Sequence, residues 1–425
     1  MRRVTALDIG SSGIKMAVAD VEPSSKTPMI QGFVHLPSRG IKNGMIIDVD
    51  AATAVIREAK LMLEKQIDGQ LENCYISISG DHITGINTTA RISLTKDNAQ
   101  GLSESTQISI EDIKRLEDHT RGFVVSADRD VLHHFPIEYI IDGRKGTTTP
   151  VNQYGRRLQV NVHLTTCELS AIKNINLCCE NVGLKIKRYV AQSFASAEGT
   201  LTDEEKERGV VLMDIGSGVT DIIIFHNNSV HYTGTLNLAG DMVTNDIHYL
   251  TATTLEQAEK VKLNYGFATD EIIEHTETHE IEGLVDRKST PVTNKELAQY
   301  IKARLDEILS EAWKKASETE IINKIQPIIC LCGGTALLRG FDKVADNMFT
   351  KSPLKPNITR IGVPTGFTSN KAKELTSPEY TCLVGLLKFG ARQKEDTLGE
   401  KLVNSMDLWT RFVDFIKTKN FKNKK

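Results

Sequence analysis

Residues 7–18 read LDIGSSGIKMAV, and residues 213–224 read MDIGSGVTDIII. Each is an apolar strand, an Asp-Ile-Gly-Ser turn and a second apolar strand. The two copies lie 206 residues apart, which points to duplicated α/β halves. A third turn, in IICLCGGTALLRGF (328–341), reads as strand, Gly-Gly turn and helix. Glycines let backbone N–H groups approach an anion closely. Lys15 can reach a terminal phosphate as a point charge, and Asp8 and Asp214, at strand ends, can hold Mg²⁺ through water. One such turn is weak evidence, because strand-end turns of this kind are common. Two, with a Gly-Gly turn at the start of a helix, suit the phosphates and adenosine edge of a nucleotide. GxxxxGK[ST] is absent, which excludes a P-loop, and Gly216-Ser-Gly218 lacks the third glycine of a Rossmann fingerprint.

Outward from these turns the chain is ordinary. It has 425 residues, 40% apolar and 25% charged, with a net charge of −3, so a sizeable core is expected and a chain-wide basic surface for nucleic acid is not. Seven cysteines without a CxxC pair fit neither a disulfide framework nor a zinc ribbon; buried thiols in a reducing compartment are expected. Asp8 interrupts the first apolar run, so no signal peptide is read, and no apolar run is long enough to span a membrane. Residues 48–67 predict a helix capped by Asp48 or Asp50, with Val55, Ala59, Met62 and Leu63 as its apolar stripe. Thr254/Gln257 and Thr293/Glu296 predict capping boxes, the second opening a helix striped by Leu297, Ile301, Leu305, Ile308 and Ala312. Residues 81–164 change character and read as an inserted module. His275 and His279 read as a solvated acidic segment rather than a metal site.

SRGIKNGMIID (38–48), ISISGDHI (76–83), HHFPIEYIIDG (133–143), NVHLTT (161–166), AGDMVTNDI (239–247) and VGLLKFG (384–390) carry a closer likeness. With the three turns, they resemble the FtsA family of bacterial actin-like cell-division proteins over essentially the whole chain. The resemblance implies an α/β, actin-like fold of duplicated ribonuclease-H-like domains, an inserted IC subdomain and a C-terminal amphipathic helix. Subdomain IA would be 1–80 with 165–190, IC 81–164, IIA 191–232 with 308–391, and IIB 233–307. A linker (392–404) and a membrane tail (405–425) would follow.

For ATP, the resemblance places contacts on Asp8, Gly10, Ser11, Ser12 and Lys15, then Asp214, Gly216, Ser217, Gly218 and Thr220. Gly240, the Glu259/Lys262 pair, Gly333, Gly334 and Thr335 complete the set. Alone, Glu259 and Lys262 would read as an exposed helical ion pair. Gln192 falls where actin-like ATPases position the attacking water; a Gln orients water but is a poor base, so slow hydrolysis is expected. Arg304 would lie on the surface that receives the C-terminal peptide of FtsZ, the tubulin-like division protein. Self-association into filaments and contact with downstream divisome membrane proteins are also implied.

The tail reads SMDLWTRFVDFIKTKNFKNKK. On a helix, Trp409, Phe412, Val413 and Ile416 share one arc, widened by Phe415, and Arg411, Lys417 and Lys419 can meet anionic lipid. Residues 411–425 hold six cations against one carboxylate, net +5, which leaves −8 for the rest. An acidic body with a basic end fits peripheral attachment to anionic lipid through the tail, and the resemblance implies that this is at the cytoplasmic face of the inner membrane, at the division septum. A sugar or acetate kinase of the same superfamily is the alternative from another class. A pilus-assembly actin-like protein shares the core but is expected to lack this tail.

Overall fold

The computed structural model describes residues 1–393 except 23–24, 95, 98–102, 123–125, 148, 284–288, 352–357 and 370–371. The tail residues Trp409, Arg411, Phe412, Val413, Phe415, Ile416, Lys417 and Lys419 therefore lie outside the described residues.

Two sheets repeat one strand order. In the first, Lys185–Ala191, Asn73–Ile78, Arg2–Ile9, Gly13–Val21 and Pro28–Pro37 lie side by side, and Thr368–Ser369 adds a short edge strand. In the second, Ile358–Ile361, Ile328–Cys332, Val210–Ile215, Thr220–His226 and Ser229–Leu236 take the corresponding places. In both, the first three strands of the half are antiparallel, and the strands beyond the first are parallel to it. The central strands are apolar on both faces because helices cover both; every residue of Val210–Ile215 is buried.

The helices Gln192–Thr200 and Thr381–Arg392 pack between the sheets and share one core with both, including Val4, Tyr75, Phe194, Leu212, Ile223 and Leu386. Their backbones touch. A Cβ on Gly385 would collide with the Ala195 carbonyl, and one on Gly199 with that of Thr381.

The helix Val49–Ile67 starts at Asp48, whose side chain accepts from the Ala51 N–H. Its buried face is Ala52, Val55, Ile56, Ala59 and Leu63, whereas Met62 is exposed on the rim of that arc, against the sequence expectation. Thr293 and Glu296 form the full capping box, and the expected stripe of Asn294–Ser317 is buried. Thr254 caps Leu255–Tyr265 by accepting from the Gln257 N–H, which is half of the predicted box. The expected helix at the Gly-Gly turn is corrected. Gly334–Leu337 is a single 3₁₀ turn, and the α-helix starts at Phe341. Left-handed Gly333 (φ 88°) and Gly340 (φ 80°) break the chain on either side.

The inserted module is a four-stranded antiparallel sheet in the order Arg144–Thr147, Arg129–Ile141, Arg157–Glu168, Thr84–Ser93. The helix Ile110–Gly122 covers it around Ile113, Leu116, Tyr139, Leu158 and Val160. His133 and His134 are buried in its second strand. His279 lies on the strand Thr278–Ile281 and stacks on Tyr265 (3.9 Å between ring centroids). All seven cysteines are free and buried. No helix among the described residues is long and apolar enough to cross a membrane.

Candidate functional site: a cleft between the two sheets

A cleft of about 1130 Å³ opens between the halves, lined by all three turns. The first two have the same internal bond. The Gly10 N–H donates to the Gly13 carbonyl and the Gly216 N–H to that of Val219, each at 3.0 Å. The turns face each other at close range. A Cβ on Gly218 would lie 2.6 Å from Ser11 Oγ and 3.0 Å from the Asn43 backbone. Thr335 Oγ1 donates to the Gly216 carbonyl (2.7 Å), and the Gly240 N–H donates to the same oxygen (3.1 Å). Gly10, Ser11, Ser12, Lys15, Gly216, Ser217, Gly218, Gly240, Glu259, Lys262, Gly333, Gly334 and Thr335 thus line one space. Thr220 is not among the lining residues: it is fully buried, and its hydroxyl donates to the Leu238 carbonyl (2.6 Å).

The charged groups are held from behind. Asp8 Oδ1 accepts from Ser77 Oγ (2.8 Å) and Cys382 Sγ (3.3 Å), while Lys15 Nζ lies 3.8 Å from Oδ2. Lys15 also donates to the Glu379 carbonyl (2.8 Å). Asp214 Oδ2 accepts from Ser196 Oγ (2.5 Å) and Gln192 Nε2 (3.3 Å), donors one turn apart on a single helix. Burial pushes the Asp214 carboxyl up; the Ser196 bond opposes this, and the negative charge of Asp8 adds to it. Lys262 Nζ meets Glu259 (2.7 Å) and Thr244 Oγ1 (2.8 Å), so this pair is a networked wall of the cleft. Arg304 forms a bidentate pair with Asp246 (2.6 and 2.8 Å) and a further pair with Glu307; it does not line the cleft.

The donor set fits an anion. Ser217 Oγ is buried at the second turn without a hydrogen-bond partner. The Ser11 oxygen already accepts from the Gly44 N–H (2.9 Å), so its proton is free to be donated. These hydroxyls, the glycine-turn amides and Lys15 suit phosphate oxygens. The described residues contain no group of three or more His, Cys, Asp or Glu side chains able to hold a metal directly. Asp8 and Asp214 are a mutually repelling carboxylate pair in the cleft wall, a pattern that suits a hydrated cation.

Sequence reasoning missed several members. Ser38, Lys42, Asn43 and Gly44 line the cleft. The glycines of SRGIKNG signalled their loop: Gly40 and Gly44 have φ of 72° and 75°. Ser77 and Ser196, which fix the two aspartates, carry no local signal. Nor does Asp221, which is buried in an apolar strand and accepts from Ser79 Oγ and Thr235 Oγ1, each at 2.6 Å. Burial drives its carboxyl up to about 7.

The duplicated sheets with their shared cleft define an actin-like ATPase fold. Solved structures agree. The PilM–PilN type IV pilus biogenesis complex aligns with a TM-score of 0.62 at 17% identity, covering 91% of this chain and 98% of the other. MreB5 of Spiroplasma citri bound to ADP aligns at 0.52 and 15% identity, covering 92% and 96%. Sequence narrows the class. The family described as "Cell division protein FtsA" matches residues 211–385, and "SHS2 domain inserted in FTSA" matches residues 80–166. The cell division protein FtsA of Neisseria meningitidis is 31% identical over 392 residues, 91% of this chain and 89% of the relative. Those of Pseudomonas aeruginosa and Escherichia coli are each 28% identical, over 95% and 98% of this chain and 93% and 98% of the relatives. The chain belongs to the FtsA family of cell-division proteins.

Proposed function

We propose that this chain binds ATP in the cleft, polymerises, and ties FtsZ filaments to the cytoplasmic membrane through residues 405–425. The observation that carries the reading is the pair of facing turns with one hydrogen-bond geometry and the unpartnered Ser217 hydroxyl buried at the second. Amides of Ser11 and Ser12 and of Ser217 and Gly218 hold the phosphates, on turns that Gly10 and Gly216 close with their own N–H groups, while Thr220 ties the strand behind the second turn to the Leu238 carbonyl. Lys15 leaves the Glu379 carbonyl for a phosphate oxygen. Glu259 and Lys262 bound the nucleoside side, and Gly240, Gly333, Gly334 and Thr335 its other edges. Mg²⁺, bound with ATP, supplies charge neutralisation, and Asp8 and Asp214 are placed to hold its waters. Gln192 can present its amide oxygen to a water while Nε2 stays on Asp214. An amide accepts the water's proton poorly, so turnover is slow and the nucleotide acts as a switch.

In this reading the subdomains keep the boundaries given by the resemblance, with IC at 81–164 and IIB at 233–307. Arg304, at the IIA/IIB border, contributes to the FtsZ-peptide surface, later division proteins are recruited, and the protein works at the septum as a peripheral membrane protein. Partial immersion of Trp409, Phe412, Val413, Phe415 and Ile416 is worth less than the roughly 1.5–3 kcal/mol of full burial per side chain. Each nearby cation adds about 1 kcal/mol, so anchoring is reversible and strengthens when filaments present many tails. Purified FtsZ polymers should be recruited to anionic vesicles only with the full chain and ATP, and deletion of 405–425 should abolish recruitment without loss of nucleotide binding. No recruitment, with phosphoryl transfer to a sugar or acetate instead, would overturn this in favour of a small-molecule kinase.

A further inference from the structure

The edge strand of the second sheet is polar at every odd position: Ser229, His231, Thr233, Thr235 and Asn237. The even positions Val230, Tyr232, Leu236 and Leu238 pack into apolar clusters. At four of these positions a hydrogen bond links the second half to the first half or its inserted module, and at the fifth, Thr235, the link runs through Asp221. Ser229 Oγ donates to the Pro136 carbonyl (2.6 Å), and Asn87 Nδ2 donates to the His231 carbonyl (3.1 Å). Thr233 Oγ1 meets His163 Nε2 (2.9 Å) and Thr165 Oγ1 (3.2 Å). Thr235 shares the Asp221 carboxylate with Ser79, and Asn237 Nδ2 donates to Asp81 Oδ2 (2.8 Å).

The bonds at the centre have a fixed direction. His163 Nδ1 faces the Asn87 amide oxygen (2.7 Å), an acceptor only, so Nδ1 carries the ring proton. Burial holds the ring neutral, its pKa pushed down to about 3. Nε2 therefore accepts from Thr233, and Thr233 accepts from Thr165. The backbones are as close as they can come: a Cβ on Gly85 would lie 2.5 Å from the Thr233 carbonyl oxygen and 2.6 Å from His163 Cε1. The strand also ends in the cleft. Asn237 and Gly240 line it, and Thr220 fixes the Leu238 carbonyl between them.

We propose that this seam makes the inserted module a lever on the cleft: nucleotide binding at 237–240 displaces the edge strand, and the strand carries the module with it. The inference rests on the ATP reading above. Hydroxyl and amide bonds suit such a joint, because they can be exchanged for water or for a neighbouring partner at little net cost, whereas an apolar interface would resist sliding. Coupling of this kind is reciprocal, so whatever holds the module must also change nucleotide affinity.

The test is hydrogen–deuterium exchange on the full chain, with and without Mg²⁺ and AMPPNP, beside a direct titration with a fluorescent ATP analogue. Exchange within Thr84–Ser93 and Arg157–Glu168 should change on nucleotide binding. Thr233→Val should abolish that change and shift nucleotide affinity by about fivefold or more, the lower end of typical coupling. Thr165→Val, which removes one donor, should weaken the response and serves if the first variant does not fold. A wild-type module that ignores bound nucleotide, or a variant that responds in full, would overturn the lever and leave the ATP reading standing. Failure of the titration itself would sink both.

Discussion

The two halves share strand order and turn geometry but differ in charge at a facing position beside the turn. Opposite Asp8 in the strand register stands Lys15; opposite Asp214 stands Asp221. The first pair puts a cation into the cleft. The second buries two carboxylates, and Asp221 is turned to the seam, where Ser79 and Thr235 donate to it. Duplication thus supplied one scaffold twice. The chemistry differs at a position the turn geometry does not constrain: one half faces the cleft with charge, the other grips its twin.

Acid should separate the halves most. His133 and His163 lie in the module carried by the first half, and burial pushes each pKa down to about 3. His133 Nε2 also accepts from the Ala191 N–H (2.9 Å), a bond that needs the neutral ring. A histidine with a folded pKa below its unfolded 6.5 takes up a proton on unfolding. Its stabilising contribution is therefore present above about pH 6.5 and lost as pH falls towards 3. The loss by pH 5 is about 2 kcal/mol for each ring, at about 1.4 kcal/mol per pKa unit. In the second sheet burial also pushes His231 down to about 4, a similar loss, but it raises Asp221 to about 7, and a carboxyl raised above its unfolded value gains stability as pH falls from 7 to 5. Urea melts at pH 7 and 5, read by hydrogen exchange, should therefore show the module and first sheet opening before the second sheet.

Next comes the divergent position itself. Asp221→Ala leaves the buried Ser79 hydroxyl and the half-buried Thr235 hydroxyl without an acceptor and should cost about 3 kcal/mol in urea unfolding. Lys15→Ala, which removes the cation beside Asp8, should move the melt less than Asp221→Ala yet weaken nucleotide binding about 10- to 100-fold, the range for a lost charged hydrogen bond. Equal effects of the two changes on both readouts would break the contrast. Gln192→Ala should act least, slowing single-turnover hydrolysis of bound ATP up to about tenfold, measured by phosphate release. A rise in rate would remove Gln192 from the water-positioning role.

The parts of the molecule legible from sequence were those encoded locally. Asp-Ile-Gly repeats mark both turns because a strand end followed by glycine can do little else, and Thr293/Glu296 marks a helix start because its bonds are three residues apart. What stayed hidden depends on residues far apart in the chain. Ser77 reaches Asp8 across 69 residues and Ser79 reaches Asp221 across 142, and neither serine differs locally from its neighbours. Met62 was misjudged because its position on the rim of the stripe depends on where the sheet lies. The Gly-Gly segment reads as a helix start from sequence, but left-handed Gly340 breaks the chain seven residues after Gly333 and the α-helix begins only at Phe341. The polar alternation from Ser229 to Asn237 was visible, yet its usual meaning is a solvated face, and only the fold shows what covers it.

The first half cannot be finished by its own residues. Thr368–Ser369 pairs with Pro28–Pro37, and Arg2 bonds the carbonyls of Gly390 and Ala391, 388 and 389 residues away. During synthesis from the N-terminus, the opening sheet must wait with an unpaired edge and an uncovered face until the last described helix leaves the ribosome. A nascent chain stalled anywhere before that point carries exposed apolar strands, so chaperone demand should peak late and fall when residue 392 emerges.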